Sequence, residues 1–180
     1  MLRVVAGEAR GRRLLVPPGT GTRPTSDRVR EAVFNALESL GAVKDAQVID
    51  AFAGSGALGI EALSRGAEHV TFVERERDAL EVLRSNLEAV GLGGSATVVA
   101  GDASSAVAGG PWDLVLLDPP YGFDGWLDLL AVVARALTDD GVVVIESDRE
   151  VAVPSPLHVI REKRYGSTVV LFAAPHGADQ

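Results

Sequence analysis

The chain is 180 residues long, 47% of them hydrophobic, with no cysteine and a formal net charge of −8. That length suits one well-buried α/β domain with a small appendage and is short for two full domains. No apolar run approaches the roughly 20 residues of a bilayer span and residues 1–18 lack a signal-peptide pattern, so a cytoplasmic protein with no membrane partner is expected. Disulfides, thiolate metal sites and cysteine nucleophiles are excluded. His69, His158 and His176 have neither zinc-site nor triad spacing, so no metal is expected.

Residues 3–16, RVVAGEARGRRLLV, read as a β-hairpin with its turn at Gly7–Gly11, and 17–24, PPGTGTRP, as a linker by composition. Residues 1–30 carry seven arginines against Glu8 and Asp27, a net +5, while the remaining 150 residues carry ten basic against 23 acidic side chains, a net −13. A basic arm on an acidic body suits a phosphate-bearing partner, because the guanidinium fork matches phosphate oxygens; the alternative is a solvated hairpin with no partner. The expected organisation is therefore a basic hairpin and linker at 1–24 and a main domain at 25–180. Thr25 and Ser26 are candidate caps of a helix running to about Leu40, with Val29, Val33, Leu37 and Leu40 along one face.

The apolar strands VIDAF (48–52), HVTFVE (69–74), ATVVAG (96–101), WDLVLLD (112–118) and GVVVIESD (141–148) follow, separated by helical stretches at about 57–65, 76–90 and 125–138. Strands apolar at nearly every position and separated by helices indicate a mostly parallel sheet covered on both faces. The tail LHVIREKRYGSTVVLFAA adds two β-rich runs joined at Gly166-Ser167, an antiparallel hairpin that brings the sheet to seven strands. Trp112 and Trp126 are expected to pack, and Asp139-Asp140 to form a turn.

Open sheets of this kind bind ligands beyond the C-terminal ends of their strands. The first main strand ends in DAFAGSGALG, residues 50–59, where glycines allow close backbone approach and a direct turn into a helix. The second ends at Glu74, placed to accept ribose hydroxyls, and the third at Gly101-Asp102-Ala103, where Asp102 is placed to accept from an adenine amine. Gly54-Ser55-Gly56-Ala57-Leu58-Gly59 also fits the GxGxxG of dinucleotide folds. Asp50 argues against that reading: an acid before the glycines would repel a pyrophosphate but hold an ammonium group. A cationic end, a ribose and an adenine together describe S-adenosylmethionine. Taken singly, each residue has a structural reading too: Asp50 capping the turn, Glu74 a solvated acid, Tyr121 filling core.

DAFAGSGALG, Glu74, Gly101-Asp102 and DPPY (118–121), in that order and at these intervals, resemble the Rossmann-like class I S-adenosylmethionine-dependent methyltransferases that modify planar amines. RVVAGEARGRRL and RPTSDRVREAVFNAL are similar to the RsmD family of 16S ribosomal RNA guanine-N2 methyltransferases, and the resemblance spans residues 3 to about 172. It implies a cofactor site at Asp50, Phe52, Gly54, Ser55, Gly56, Glu74, Arg75, Asp102 and Ala103, with Arg75 stacking on the adenine. It implies a catalytic loop of Asp118, Pro119, Pro120 and Tyr121. There the Asp118 carboxylate and the Pro119 carbonyl accept the hydrogens of the target amine, and Tyr121 stacks on a base that is unpaired or flipped out. Arg10, Arg12, Arg13, Arg23 and Arg28 are then candidates to grip the RNA backbone. The implied partner is 16S rRNA, in the small subunit or an assembly intermediate, and the expected state is a monomer. The alternatives are a DNA or other RNA amine methyltransferase acting on adenine N6 or cytosine N4, a non-catalytic RNA-binding assembly factor, and a dehydrogenase.

Overall fold

The computed structural model describes residues 1–19 and 26–177. The N-terminal hairpin pairs β1 (Leu2–Arg3) with β2 (Arg13–Leu14), antiparallel, with Leu2 opposite Leu14 and Arg3 opposite Arg13. Helix α1 (Asp27–Ser39) starts at Ser26, whose hydroxyl accepts from the Val29 N–H at 3.2 Å; the companion cap, Thr25, lies outside the described residues. The expected stripe holds at Val33 and Leu37 and is widened by Arg30 and Phe34. Arg30, Val33, Phe34 and Leu37 are buried, Val29 is half-buried, and Leu40 follows the helix end, exposed.

The chain continues through β3 (Gln47–Asp50), α2 (Ala57–Ser64), β4 (His69–Glu74), α3 (Arg77–Val90), β5 (Ala96–Ala100), α4 (Ala103–Val107), β6 (Trp112–Leu117), α5 (Trp126–Ala136), β7 (Leu137–Ser147), β8 (Leu157–Tyr165) and β9 (Thr168–Pro175). Among the described residues, seven of these strands form one sheet in the order β5-β4-β3-β6-β7-β9-β8. The first five in that order are parallel, and β8 and β9 close the edge antiparallel, turning at Gly166-Ser167 as expected. This is a Rossmann-like sheet. Alternate strand residues feed two cores: Val48, Phe72, Leu114 and Leu116 face α1, α2 and α3, while Ile49, Val73, Val115 and Leu117 face α4 and α5.

Two local expectations change. α4 is an Ala/Ser-rich single turn with no apolar period, so nothing in the pattern marks it; Asp102 caps it. Asp139-Asp140 is no separate turn, because β7 begins at Leu137, opposite Trp112, and reaches regular register only where Val142 faces Leu114, leaving the two acids in the irregular segment between.

The hairpin shares the main core: Leu2, Val4, Ala9 and Leu14 are buried in one cluster with Phe34, Leu37, Ile60 and Leu63. Its anchor is Glu61 of α2. This fully buried carboxylate accepts from the backbone N–H of Val5 at 2.9 Å and Ala6 at 3.0 Å, from Arg30 Nε at 3.4 Å and from Arg65 Nε at 2.8 Å. Arg30, counted above in the basic arm, is thereby removed from the surface; it also donates to Asp27 and to the Arg3 carbonyl. Glu61→Ala would remove one acceptor from each of two buried guanidinium groups and from two backbone donors, so urea denaturation should report a loss of about 3–5 kcal/mol.

Candidate active site

The chain order places a topological switch between β3 and β6: from β3 the strands run outward through β4 to β5, then cross back to β6 on the other side. Beyond β3 the chain stays clamped, with Ala51 N–H donating to the Leu116 carbonyl at 3.1 Å and Ala53 N–H to the Val73 carbonyl at 2.9 Å. A cavity of about 1270 Å³ opens here, large enough for a nucleoside cofactor and a second ligand.

Phe52, Gly54, Ser55, Glu74, Arg75, Asp102, Ala103, Asp118, Pro119, Pro120 and Tyr121 all line it. Two expected cofactor residues do not. Gly56, in a left-handed conformation at the start of α2, has no room for a side chain, since a Cβ would lie 2.4 Å from Leu83 Cδ1; its place is in packing, away from the cavity wall. Asp50 is buried beneath the loop, with Oδ2 accepting from Gly59 N–H at 3.0 Å and Oδ1 without a hydrogen-bond partner. It holds the turn into α2 from behind the cavity wall, whereas the sequence placed it against the ligand itself.

Glu74 is engaged more fully than its placement as ribose acceptor implied. Oε2 accepts from Gly54 N–H at 2.8 Å, and Oε1 from Arg75 and Glu76 N–H at 2.8 and 2.9 Å, so the carboxylate braces the glycine loop against the start of α3. A carboxylate has about four acceptor positions, which leaves room for one ribose hydroxyl rather than two. Asp102 Oδ2 accepts from both the N–H and the hydroxyl of Ser105, which hold its carboxyl below the usual range. Arg75 is exposed beside Glu76.

The turn after β6 closes where Phe123 N–H donates to the Pro120 carbonyl at 3.1 Å. Gly122, at φ +80°, supplies the left-handed conformation that this turn needs. Tyr121 at its tip is 56% exposed, which removes the core-filling reading. Phe123 meets Phe52 edge-on at 5.5 Å and Trp126 edge-on at 5.0 Å, so Trp126 packs, as expected, behind the Asp118–Tyr121 turn. Trp112 donates its Nε1–H to the Val107 carbonyl.

Three contributions were not read from the sequence. Glu146 and Ser147, nearly buried at the end of β7, line the cavity; they lay inside an apolar run that signals only a strand. Val16, Pro17, Pro18 and Gly19 form a further wall. Asn86, buried on α3, holds that strap, exchanging hydrogen bonds with the backbone of Leu15 at 2.8 and 3.0 Å and donating to the Ser55 carbonyl at 2.8 Å. The strap leads back to Arg10, Arg12 and Arg13, which are exposed, as is Arg28; Arg23 lies outside the described residues.

This fold and this site define a class, the Rossmann-like methyltransferases. A family model described as "Conserved hypothetical protein 95" matches residues 2–174. Ribosomal RNA small subunit methyltransferase D of Escherichia coli K12 is 41% identical over 159 residues, covering 86% of this chain and 78% of its own. The Haemophilus influenzae protein of the same name is 33% identical over 174 residues, covering 92% and 89%. The solved structure of "Putative methyltransferase yhhF from Escherichia coli" superposes with a TM-score of 0.86 at 37% identity, over 98% of both chains. The chain belongs to the RsmD family of methyltransferases.

Burial, opposed by the Gly59 hydrogen bond and reinforced by the nearby Glu74 charge, pushes the Asp50 carboxyl from 3.8 up to about 7. An acid whose folded pKa is raised costs stability once it ionises: the cost is absent below pH 4, grows through pH 4–7 and is complete above. Asp50→Asn should therefore gain stability over wild type progressively across that window, by up to about 4 kcal/mol at pH 8. Denaturation series at pH 4, 6 and 8 would measure it, and a pH-independent difference would refute the assignment.

Proposed function

We propose that the protein transfers a methyl group from S-adenosylmethionine to the exocyclic N2 amine of an unpaired guanine in small-subunit ribosomal RNA. The observation that carries this reading is the convergence in one cavity of the glycine loop with Glu74, the Asp118–Tyr121 turn, and the strap leading to the exposed arginines. The small-subunit rRNA named for the relatives supports the substrate class.

S-adenosylmethionine supplies an electrophilic methyl group on a positively charged sulfur. The residues present fit such a ligand: the Glu74 carboxylate lines the cavity and the buried Asp50 Oδ1 behind it lacks a hydrogen-bond partner, so a nearby cationic group would be favoured, and would favour the ionised form of Asp50, where a pyrophosphate would not. Phe52, Arg75, Asp102 and Ala103, which line the cavity, would surround the nucleoside, with the backbone of Ser55 and Gly54 beside it.

The target amine is a poor nucleophile because its lone pair is delocalised into the purine. With its two hydrogens accepted by Asp118 and the Pro119 carbonyl, the nitrogen becomes tetrahedral and its lone pair turns toward the methyl group. The N–C bond forms as the S–C bond breaks, and the surplus amine proton passes to Asp118. Pro119 and Pro120 stiffen this geometry, so positioning and electrostatics carry the rate. Tyr121, exposed at the tip, stacks on a base swung out of its helix.

Small subunits from cells lacking the protein, incubated with enzyme and donor, should yield N2-methylguanosine on nucleoside mass spectrometry. Asp118→Ala should lower the rate at least a hundredfold while the demethylated cofactor still raises the melting temperature, and NAD should not raise it. Appearance of N6-methyladenosine or N4-methylcytidine instead would move the assignment to another amine.

The exposed arginines make a separate prediction. Changing Arg10, Arg12 and Arg13 to Ala should weaken RNA binding and flatten its salt dependence, each lost phosphate contact lowering the slope by roughly 0.7 to 0.9. Cofactor-induced stabilisation should be unchanged. Equal affinity at every salt concentration would leave the hairpin a purely structural element.

A further inference from the structure

Glu146 is 8% exposed, ends the buried part of β7 and lines the cavity. Leu117, the last residue of β6, pairs in parallel register with Ile145 of β7, so Asp118 and Glu146 each follow one member of that final pair, and both line the cavity. Ionised carboxylates only accept hydrogen bonds. In their ionised forms the Asp118 and Glu146 carboxylates, together with the Pro119 carbonyl, would offer a row of acceptors at this end of the cavity to a base stacked on Tyr121.

The three amine-bearing nucleobases answer such a row differently. In adenine the ring nitrogen beside the amine, N1, is an acceptor, and in cytosine N3 is one too; each would set a lone pair against Glu146. In guanine the amine at C2 stands next to N1–H, a second donor pointing the same way. A row of acceptors therefore matches the N2–H and N1–H edge of guanine and is repelled by the corresponding edges of the other two. We infer that Glu146 is a specificity-determining residue that accepts the N1–H of the target guanine while Asp118 and Pro119 hold its N2 amine. This rests on the amine-orienting role proposed for Asp118 and names what selects the base.

A substrate with 2-aminopurine at the target position, mapped by mass spectrometry and installed by ligation into the rRNA, provides the test. This base keeps the 2-amino group, but its N1 carries a lone pair in place of a hydrogen. Wild-type enzyme should prefer guanine in kcat/KM by ten- to a hundredfold, the span of one hydrogen bond to a charged group. Glu146→Gln, nearly isosteric, can turn its amide N–H toward N1 of 2-aminopurine and should cut that preference at least tenfold. Glu146→Ala removes the acceptor without supplying a donor, so it should lower kcat/KM for guanine ten- to a hundredfold and leave 2-aminopurine little changed. Stabilisation by the demethylated cofactor, unchanged in both variants, would establish that the fold and the donor site survive. Wild-type preference retained in Glu146→Gln, with guanine still methylated, would overturn the role of Glu146 alone. Methylation of no guanine by wild-type enzyme would overturn the proposed function and this inference with it.

Discussion

The carboxylate of Glu61 is the point on which the arrangement of the active site depends. It lies fully buried between α1, α2 and the N-terminal hairpin, and accepts from two backbone amides of the hairpin and from Arg30 and Arg65. A buried charge is tolerated only when its acceptor positions are filled by well-placed donors. These donors come from three separate stretches of chain, so they are satisfied together only when hairpin and helices meet in one geometry. Glu61 thus specifies an arrangement, which is a different service from adding stability.

That arrangement reaches the chemistry through α2 and α3. The glycine loop runs directly into α2, so the helix that anchors the hairpin also begins at the cavity wall, with Ala57 and Leu58. Asn86 makes the second tie, joining the strap at Leu15 to the loop at Ser55. Ser64 adds a third, accepting from Ala9 N–H and donating to the Ala6 carbonyl. The basic hairpin is therefore held at a set distance from the cavity by buried polar contacts, each costly to leave unsatisfied. The exposed arginines of the hairpin and the cavity that holds Asp118 thereby become parts of the same frame.

The acids at the strand ends divide into those that build the site and those that face a ligand. Asp50, Glu74 and Asp102 each accept from backbone N–H groups of the segment that follows, and Glu74 also from Gly54 of the earlier glycine loop. A carboxylate at the end of a parallel strand meets the donors of the next helix or loop, so most of its acceptor capacity is used in joining the two. Asp50 is the extreme case, with its carboxyl pushed to about 7 by burial. Glu74 and Asp102 also line the cavity, whereas Asp50 lies behind its wall.

Much of this was legible in the order of residues. Apolar runs and helical spacings determined the alternating elements, the parallel sheet and the closing hairpin, because burial on both faces of a sheet leaves a local, periodic record. The glycine loop, Glu74, Asp102 and the DPPY turn were legible because backbone approach, turn chemistry and a rigid proline pair each demand particular residue types at one place. What the tertiary structure alone decided is where side chains meet across long separations. Glu61 and Arg30 look like ordinary surface charges on two amphipathic helices, Asn86 like a solvated polar residue, and Glu146 like the polar end of a strand. Their importance comes from elements 31 to 71 residues apart being brought within hydrogen-bonding distance, or from two strands lying in register. No local pattern carries that information, since burial of a polar group is a property of what packs around it.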